Sequence, residues 1–310
     1  MRIAIIGAGA LGTFYGARLQ AAGHEVHLLA RSDAAIGRAQ GFTCHSVLGT
    51  VHIPGQRVHA EVKKLPQCDV VIVALKTTDN AQLPELLPPA LAADGMVLVL
   101  QNGLGVEAEA AAVVGAERVA GGLCFLCANK VAPATVEHLA HGKIALGQYH
   151  AQGHDLAPSA ALRAIANALQ DGGIEIEVSD NLAAARWRKL CWNIPYNGLC
   201  TVLNCDTQVL ASNPAGRQAV DQLMREVQRG AAACGHHISD DFLQVMVNNT
   251  DEMGPYLPSM TIDRRHGRAM EIEHMFGQPL ADSTAAGTEL PLINQIYHQL
   301  KILSTQQIRP

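Results

Sequence analysis

No run of basic side chains occurs in the 310 residues, and the formal net charge is −5. A nucleic-acid surface, which needs clustered Lys and Arg, is therefore not expected. No uninterrupted apolar stretch approaches the roughly 20 residues that span a bilayer, so no membrane segment is expected either. The N-terminus lacks the charged region and cleavage site of a secretory signal, and it reads as a strand from residue 2 onward. A cytoplasmic protein is the expectation. Internal repeats, low-complexity tracts and long linkers are also missing. The 14 histidines show no H-E-x-x-H spacing. Cys124 and Cys127 are spaced C-x-x-C, but they lie in an apolar strand-like run that would point them to opposite faces. No metal is expected, and the 8 cysteines read as reduced thiols. What remains is 48% hydrophobic and 16% charged, a globular chain with room for a sizeable core and, at this length, for two domains.

Against these absences, the first thirty-one residues carry one legible device. The apolar run Arg2-Ile3-Ala4-Ile5-Ile6 leads into Gly7-Ala8-Gly9-Ala10-Leu11-Gly12, then a helical stretch to about Ala22 and a second strand ending at Arg31. A buried strand that turns through glycines into a helix points backbone N–H groups, including those of Ala10 and Leu11, and the positive helix end at one place. A pyrophosphate fits there. Gly7 permits the tight turn, Gly9 removes a side chain that would hold the pyrophosphate off, and Gly12 lets helix and strand pack closely. The strand–turn–helix context makes this a dinucleotide-binding motif rather than an isolated G-x-G-x-x-G.

The tip of the second strand bears on which dinucleotide. An acidic residue there reads the ribose hydroxyl of NAD, whereas an arginine can hold the 2′-phosphate of NADP. Arg31-Ser32 at this tip favours NADP(H), because a guanidinium fork and a hydroxyl suit a phosphate dianion. Asp33 keeps NAD open as the alternative.

Strand-like runs recur at Gly41–Val47, Cys68–Leu75 and Met96–Leu100, with helical or looping segments between them, which predicts a mostly parallel, doubly wound sheet. The central run ends at Lys76, placing a cation at the carboxyl edge where ligands of such folds bind. The next ends at Gln101-Asn102-Gly103-Leu104-Gly105. Two β-rich runs between Val119 and Gly147, turning near Asn129-Lys130, read as an antiparallel addition. Pro158–Leu169 reads as a helix and Ile174–Val178 as a last short strand. From Asp180 onward strand signals vanish, and Asn181–Trp192, Gly216–Ala233, Ser239–Asn248, Arg268–Phe276 and Leu290–Leu303 carry helical spacing. The expected architecture is α/β: a Rossmann-like doubly wound domain over residues 1–180 that binds NADP, then an all-helical substrate and catalytic domain over residues 181–310. Apolar helical stripes offer a seam for a homodimer, though no heptad pattern places one.

The helical part must supply substrate contacts and a proton. In Trp187-Arg188-Lys189-Leu190-Cys191-Trp192-Asn193-Ile194-Pro195-Tyr196-Asn197, one ammonium and two amides fall at i, i+4 and i+8 and share a helical face. Pro195 removes an N–H between the two asparagines and predicts a kink.

Together these features resemble the ketopantoate reductase (2-dehydropantoate 2-reductase) family, which reduces a 2-keto acid to a 2-hydroxy acid with NADPH on the way to pantothenate. The resemblance rests on Gly7-x-Gly9-x-x-Gly12, Arg31, Lys76, Gln101-Asn102-Gly103, Trp187 to Leu190 with Asn193 and Asn197, and Ser259-Met260 followed by Glu271-Ile272. It implies Lys189 as the proton donor, with Glu271 near the substrate hydroxyl as the second catalytic residue. It also implies Asn193, Asn197, Asn102 and Ser259 as substrate contacts, and Asn102 reads as a cofactor contact as well. Asn102 can equally be a turn residue, Ser259 a helix cap and Glu271 a surface charge on Arg268–Phe276. Gly198 follows Asn197 where the family usually has proline. Two other readings stay open: a related reductase or hydroxy-acid dehydrogenase with another keto acid, and a non-catalytic NADP(H)-binding sensor.

Overall fold

The computed structural model describes residues 1–306. They form two compact units, one of Met1–Gln101 with Val106–Leu182, the other of Asn102–Gly105 with the chain from Ala183 onward. The fold is α/β, with a Rossmann-like sheet followed by a helical region.

The first unit is built on ten strands: β1 (Arg2–Ile6), β2 (Glu25–Leu29), β3 (Phe42–Ser46), β4 (Val51–Ile53), β5 (Val58–His59), β6 (Cys68–Val73), β7 (Leu91–Val99), β8 (Val119–Ala132), β9 (Thr135–Gln148) and β10 (Ile176–Ser179). Their order is β4-β3-β9-β8-β7-β6-β1-β2-β5, with β10 on β9. From β8 through β5 every pairing is parallel. The chain's strand order reverses at β1, whose neighbours are β2 and β6, and ligands of open parallel sheets bind at such a point. Alternate residues of the central strands face opposite layers. Ile3, Ile5, Val70 and Ile72 join one core with Phe14 and Tyr15, while Ala4, Ile6, Val71 and Val73 join another with Leu83 and Leu87. Burial on both faces explains the unbroken apolar runs. Helices α1 (Ala10–Ala21), α2 (Ala34–Gln40), α3 (Leu83–Ala90), α4 (Val106–Val114) and α5 (Ala160–Asp171) complete this unit.

The β8–β9 hairpin is antiparallel, but its turn falls at Pro133-Ala134 rather than at Asn129-Lys130. Proline cannot donate to the ladder, and Ala134 takes a left-handed φ of 55°. Its N–H is received by Asp33 at 2.8 Å, and Lys130 Nζ reaches the same carboxylate oxygen at 2.5 Å.

In the second unit α6 (Leu182–Leu203) is followed by α7 (Thr207–Ser212), α8 (Pro214–Ala233), α9 (Asp240–Met253), α10 (Ser259–Arg265), α11 (Gln278–Ala285) and α12 (Pro291–Thr305). Two expectations change here. The helix read as Asn181–Trp192 is longer: α6 continues through Pro195 to Leu203. The surrounding residues Ile194, Tyr196 and Cys200 are buried, and a Cβ on Gly198 would stand 2.8 Å from Ile296. Close packing there holds a helix that proline alone would weaken. The segment Arg268–Phe276 is not one helix. Helix α10 ends at Arg265, Gly267 turns left-handed at φ 64°, and helical structure resumes only at Ile272, as a π-helical turn over Glu273–Gly277 that runs into α11.

No helix among the described residues is long and apolar enough to cross a membrane, and none of them form a cluster fit to hold a metal ion.

Candidate active site

Strand β1 delivers the chain to Gly7, whose φ of 105° and whose approach to Leu75 leave no room for a side chain: a Cβ would stand 2.4 Å from the Leu75 nitrogen. A Cβ on Gly12 would fall 2.1 Å from the Gly7 carbonyl oxygen. Gly9 differs from both. A Cβ there would meet nothing within 4 Å, so nothing in the protein itself demands glycine. Helix α1 starts immediately after it, with no side-chain cap and no acidic residue in its first turn. Open space in front of uncapped N–H groups of Ala10 and Leu11 is the form an anion site takes at a helix N-terminus. These residues fit a dinucleotide pyrophosphate.

Arg31 lies just beyond β2 on the surface, and its Nη1 donates to Asp79 Oδ1 at 3.3 Å. Asp33, by contrast, is buried. Burial pulls its carboxyl upward, but the Ala134 N–H, Lys130 and the Ser32 hydroxyl outweigh burial and hold it below the ordinary value. This carboxylate anchors the β8–β9 turn. Lys76 is half-buried past β6 and opens the 3-10 turn Thr77–Gln82. Gln101 Nε2 ties this edge together, donating to the Leu75 carbonyl at 2.9 Å and to Asn80 Oδ1 at 2.6 Å. Gly7–Gly12, Arg31 and Lys76 thus gather at the carboxyl ends of β1, β2 and β6. Asn102 does not join them by compactness. Its segment belongs with the second unit, where Leu104 N–H donates to the His274 carbonyl at 2.8 Å and His274 Nδ1 meets the Leu104 carbonyl at 2.9 Å.

On α6, Lys189, Asn193 and Asn197 stand on one face, because the helix is continuous across all three. Burial deepens along the row, from a half-buried Lys189 to Asn193 and then Asn197, which is 2% exposed. Asn197 Oδ1 accepts the Met260 N–H at 3.1 Å and, more weakly, the Ser259 hydroxyl at 3.5 Å. Ser259 is therefore not the cap of α10 but its first residue. The residue at the cap position, Pro258, has no side-chain acceptor to offer, and Asn197 provides one. Thr201 and Thr261 link the same pair of helices at 3.0 Å, and just past the end of α6 Asn204 Oδ1 accepts from Arg265 Nε at 2.9 Å. Glu271 is half-buried inside a three-residue turn that the Ile272 N–H closes on the Met270 carbonyl at 3.0 Å.

Residues 3–151 match the family described as Ketopantoate reductase PanE/ApbA, and residues 181–304 match Ketopantoate reductase PanE/ApbA C terminal. The 2-dehydropantoate 2-reductase of Nostoc sp. is 46% identical over 302 residues, covering 97% of this chain and 95% of that protein. The chain belongs to the ketopantoate reductase family. The crystal structure of the 2-dehydropantoate 2-reductase of Geobacter metallireducens superimposes with a TM-score of 0.93 at 38% identity, over 97% of this chain and 99% of that one. A ternary structure of D-mandelate dehydrogenase with NADH and anilino(oxo)acetate shares the fold, with a TM-score of 0.87 at 23% identity.

As a ketopantoate reductase family member the chain is an oxidoreductase. Sequence reasoning passed over two residues beside its site. Asp79 was legible only as an acid three residues beyond Lys76. His274, which clasps Leu104, gave no signal, because its partner lies 170 residues away.

Proposed function

We propose that the chain reduces the 2-keto acid 2-dehydropantoate to the 2-hydroxy acid pantoate with NADPH, as a cytoplasmic enzyme of pantothenate formation. One observation carries the reading: a single helix face presents Lys189, Asn193 and Asn197, with Asn197 seating Ser259, in a chain whose other unit keeps open space before an uncapped helix start. NADPH supplies the hydride when bound. Gly7–Gly12 would hold its pyrophosphate, Arg31 its 2′-phosphate, and Lys76 stands at the same sheet edge.

Reduction of a ketone places negative charge on the carbonyl oxygen, which must be neutralised where it forms. Lys189 stabilises that charge and delivers the proton from Nζ. The Asn193 amide donates to the substrate carboxylate, the Ser259 hydroxyl turns its one proton from the long Asn197 contact to the same carboxylate, and Asn102 contributes a further amide. Glu271 accepts from the substrate hydroxyl. The row explains why an ammonium is followed by amides rather than by more charge: a keto acid already carries one anion, and neutral donors orient it without competing for the proton.

The testing experiment is NADPH oxidation over a panel of 2-keto acids. Preference for 2-dehydropantoate supports the assignment. Preference for another keto acid would replace the substrate and keep the reaction, and tight NADPH binding without turnover on any ketone would overturn it in favour of a sensor.

The reading includes a homodimer. Support comes from the second unit's exposed apolar residues, among them Leu203, Val209 and Ile302, and from a related fold described as a dimeric ketopantoate reductase of Staphylococcus aureus. Light scattering at working concentration tests it.

A further inference from the structure

We infer that Asp79 is a specificity-determining residue, which weakens binding of the cofactor's 2′-phosphate by holding Arg31 across the mouth of the glycine loop. The inference rests on the reading of Arg31 as the phosphate ligand.

The sheet order makes the contact informative. Strand β1, which delivers the glycine loop, lies between β2 and β6. Arg31 follows β2 and Asp79 follows β6, so their 3.3 Å contact joins the ends of two strands that are not neighbours. The end of β1 lies between them. The two partners are unequally anchored. Asp79 is set into the turn after Lys76: its N–H donates to the Lys76 carbonyl at 2.9 Å, and its Oδ1 also receives Gln82 Nε2 at 3.3 Å. The Arg31 side chain is 80% exposed, against 30% for Asp79. Exposed ion pairs of this kind are weak, so a phosphate dianion displaces the carboxylate from the guanidinium. The aspartate stays behind in its turn, and its charge then faces the phosphate it has yielded to.

A cofactor without the 2′-phosphate meets neither the competition nor the repulsion. Its free ribose hydroxyl can instead donate to a carboxylate, the contact through which acidic residues favour NAD in such folds. Asp79 therefore narrows the preference that Arg31 creates. Both groups are at the surface, and Asp79→Asn preserves the size and one acceptor of the side chain, so the variant retains the fold.

The test is a set of Kd values for NADPH and NADH on the wild type and on Asp79→Asn, Asp79→Ala and Arg31→Ala. Both Asp79 variants are expected to raise the NADPH-to-NADH affinity ratio about tenfold, through tighter NADPH binding, with the gain shrinking in about 0.5 M salt. An unchanged ratio would overturn the inference. So would a lowered one, which would make Asp79 a buttress that presents Arg31 to the phosphate. Arg31→Ala separates the two levels. Selective loss of NADPH affinity with silent Asp79 variants removes the inference alone, whereas equal loss for both cofactors removes the reading of Arg31 and the inference with it.

Discussion

The Asn197 side-chain oxygen caps a helix that begins 62 residues later in the chain, by accepting the Met260 N–H at 3.1 Å. Helix α10 needs this help because Pro258 occupies its cap position, and a proline side chain accepts nothing. The same oxygen receives the Ser259 hydroxyl. One buried amide therefore decides both where α10 starts and where Ser259 points.

Asn197→Ala removes that acceptor from a buried site and leaves the Met260 N–H unpaired. A loss of about 1–3 kcal/mol is expected, visible as a lowered Tm, together with a raised KM for the keto acid because Ser259 loses its seat. A variant with unchanged KM would confine Asn197 to a structural role.

Lys189→Ala removes the proton donor while leaving the glycine loop untouched. The expected outcome is a kcat at least about 10²-fold lower, with NADPH affinity nearly unchanged. Single-turnover kinetics and a cofactor Kd measure the two separately. Wild-type turnover would move the search for the donor to Glu271.

Two glycines of one motif should respond in opposite ways. Gly9→Ala adds a methyl group that meets no protein atom, so Tm should hold while NADPH binding falls, because the methyl group occupies the pyrophosphate's space. Gly12→Ala forces a contact of 2.1 Å with the Gly7 carbonyl, which should lower stability by about 1–3 kcal/mol. Thermal melts and cofactor titrations on both variants check the contrast.

A pH dependence follows from His27 and His59, whose ring nitrogens stand 3.0 Å apart. Burial lowers the pKa of His27 although Glu25 pulls it up, with Arg57 and Arg2 adding to the lowering. Burial, then His27 and Arg38, lower that of His59. A lowered pKa means that the unfolded chain binds more protons than the folded one below the ordinary value near 6.5. The stability these rings contribute is present above that pH and is lost as pH falls through the lowered folded values. Tm measured from about pH 8 to 5 should fall more steeply for the wild type than for His59→Asn, whose amide cannot be protonated in this range. Parallel curves would show that other groups carry the acid loss.

The glycine loop and the Lys189-Asn193-Asn197 row were legible in the sequence because both are local. Backbone constraint places Gly7, Gly9 and Gly12 on one strand–turn–helix segment, and helical periodicity puts i, i+4 and i+8 on one face whatever the rest of the chain does. The alternation of apolar strands with helices, and the loss of strand signals after residue 180, likewise follow from burial patterns in neighbouring residues. Tertiary structure alone decided the partners. Asp33 read only as an alternative ribose contact, and nothing local announced that the β8–β9 turn, 101 residues away, would bring the Ala134 N–H to it. Arg31 looked like a phosphate ligand alone until β6 brought Asp79 within reach. The helix read as ending at Trp192 runs on through Pro195 to Leu203, with close packing at Gly198. Periodicity and propensity describe a residue's immediate surroundings, whereas a charge or a buried amide takes its role from whichever distant group the fold sets against it.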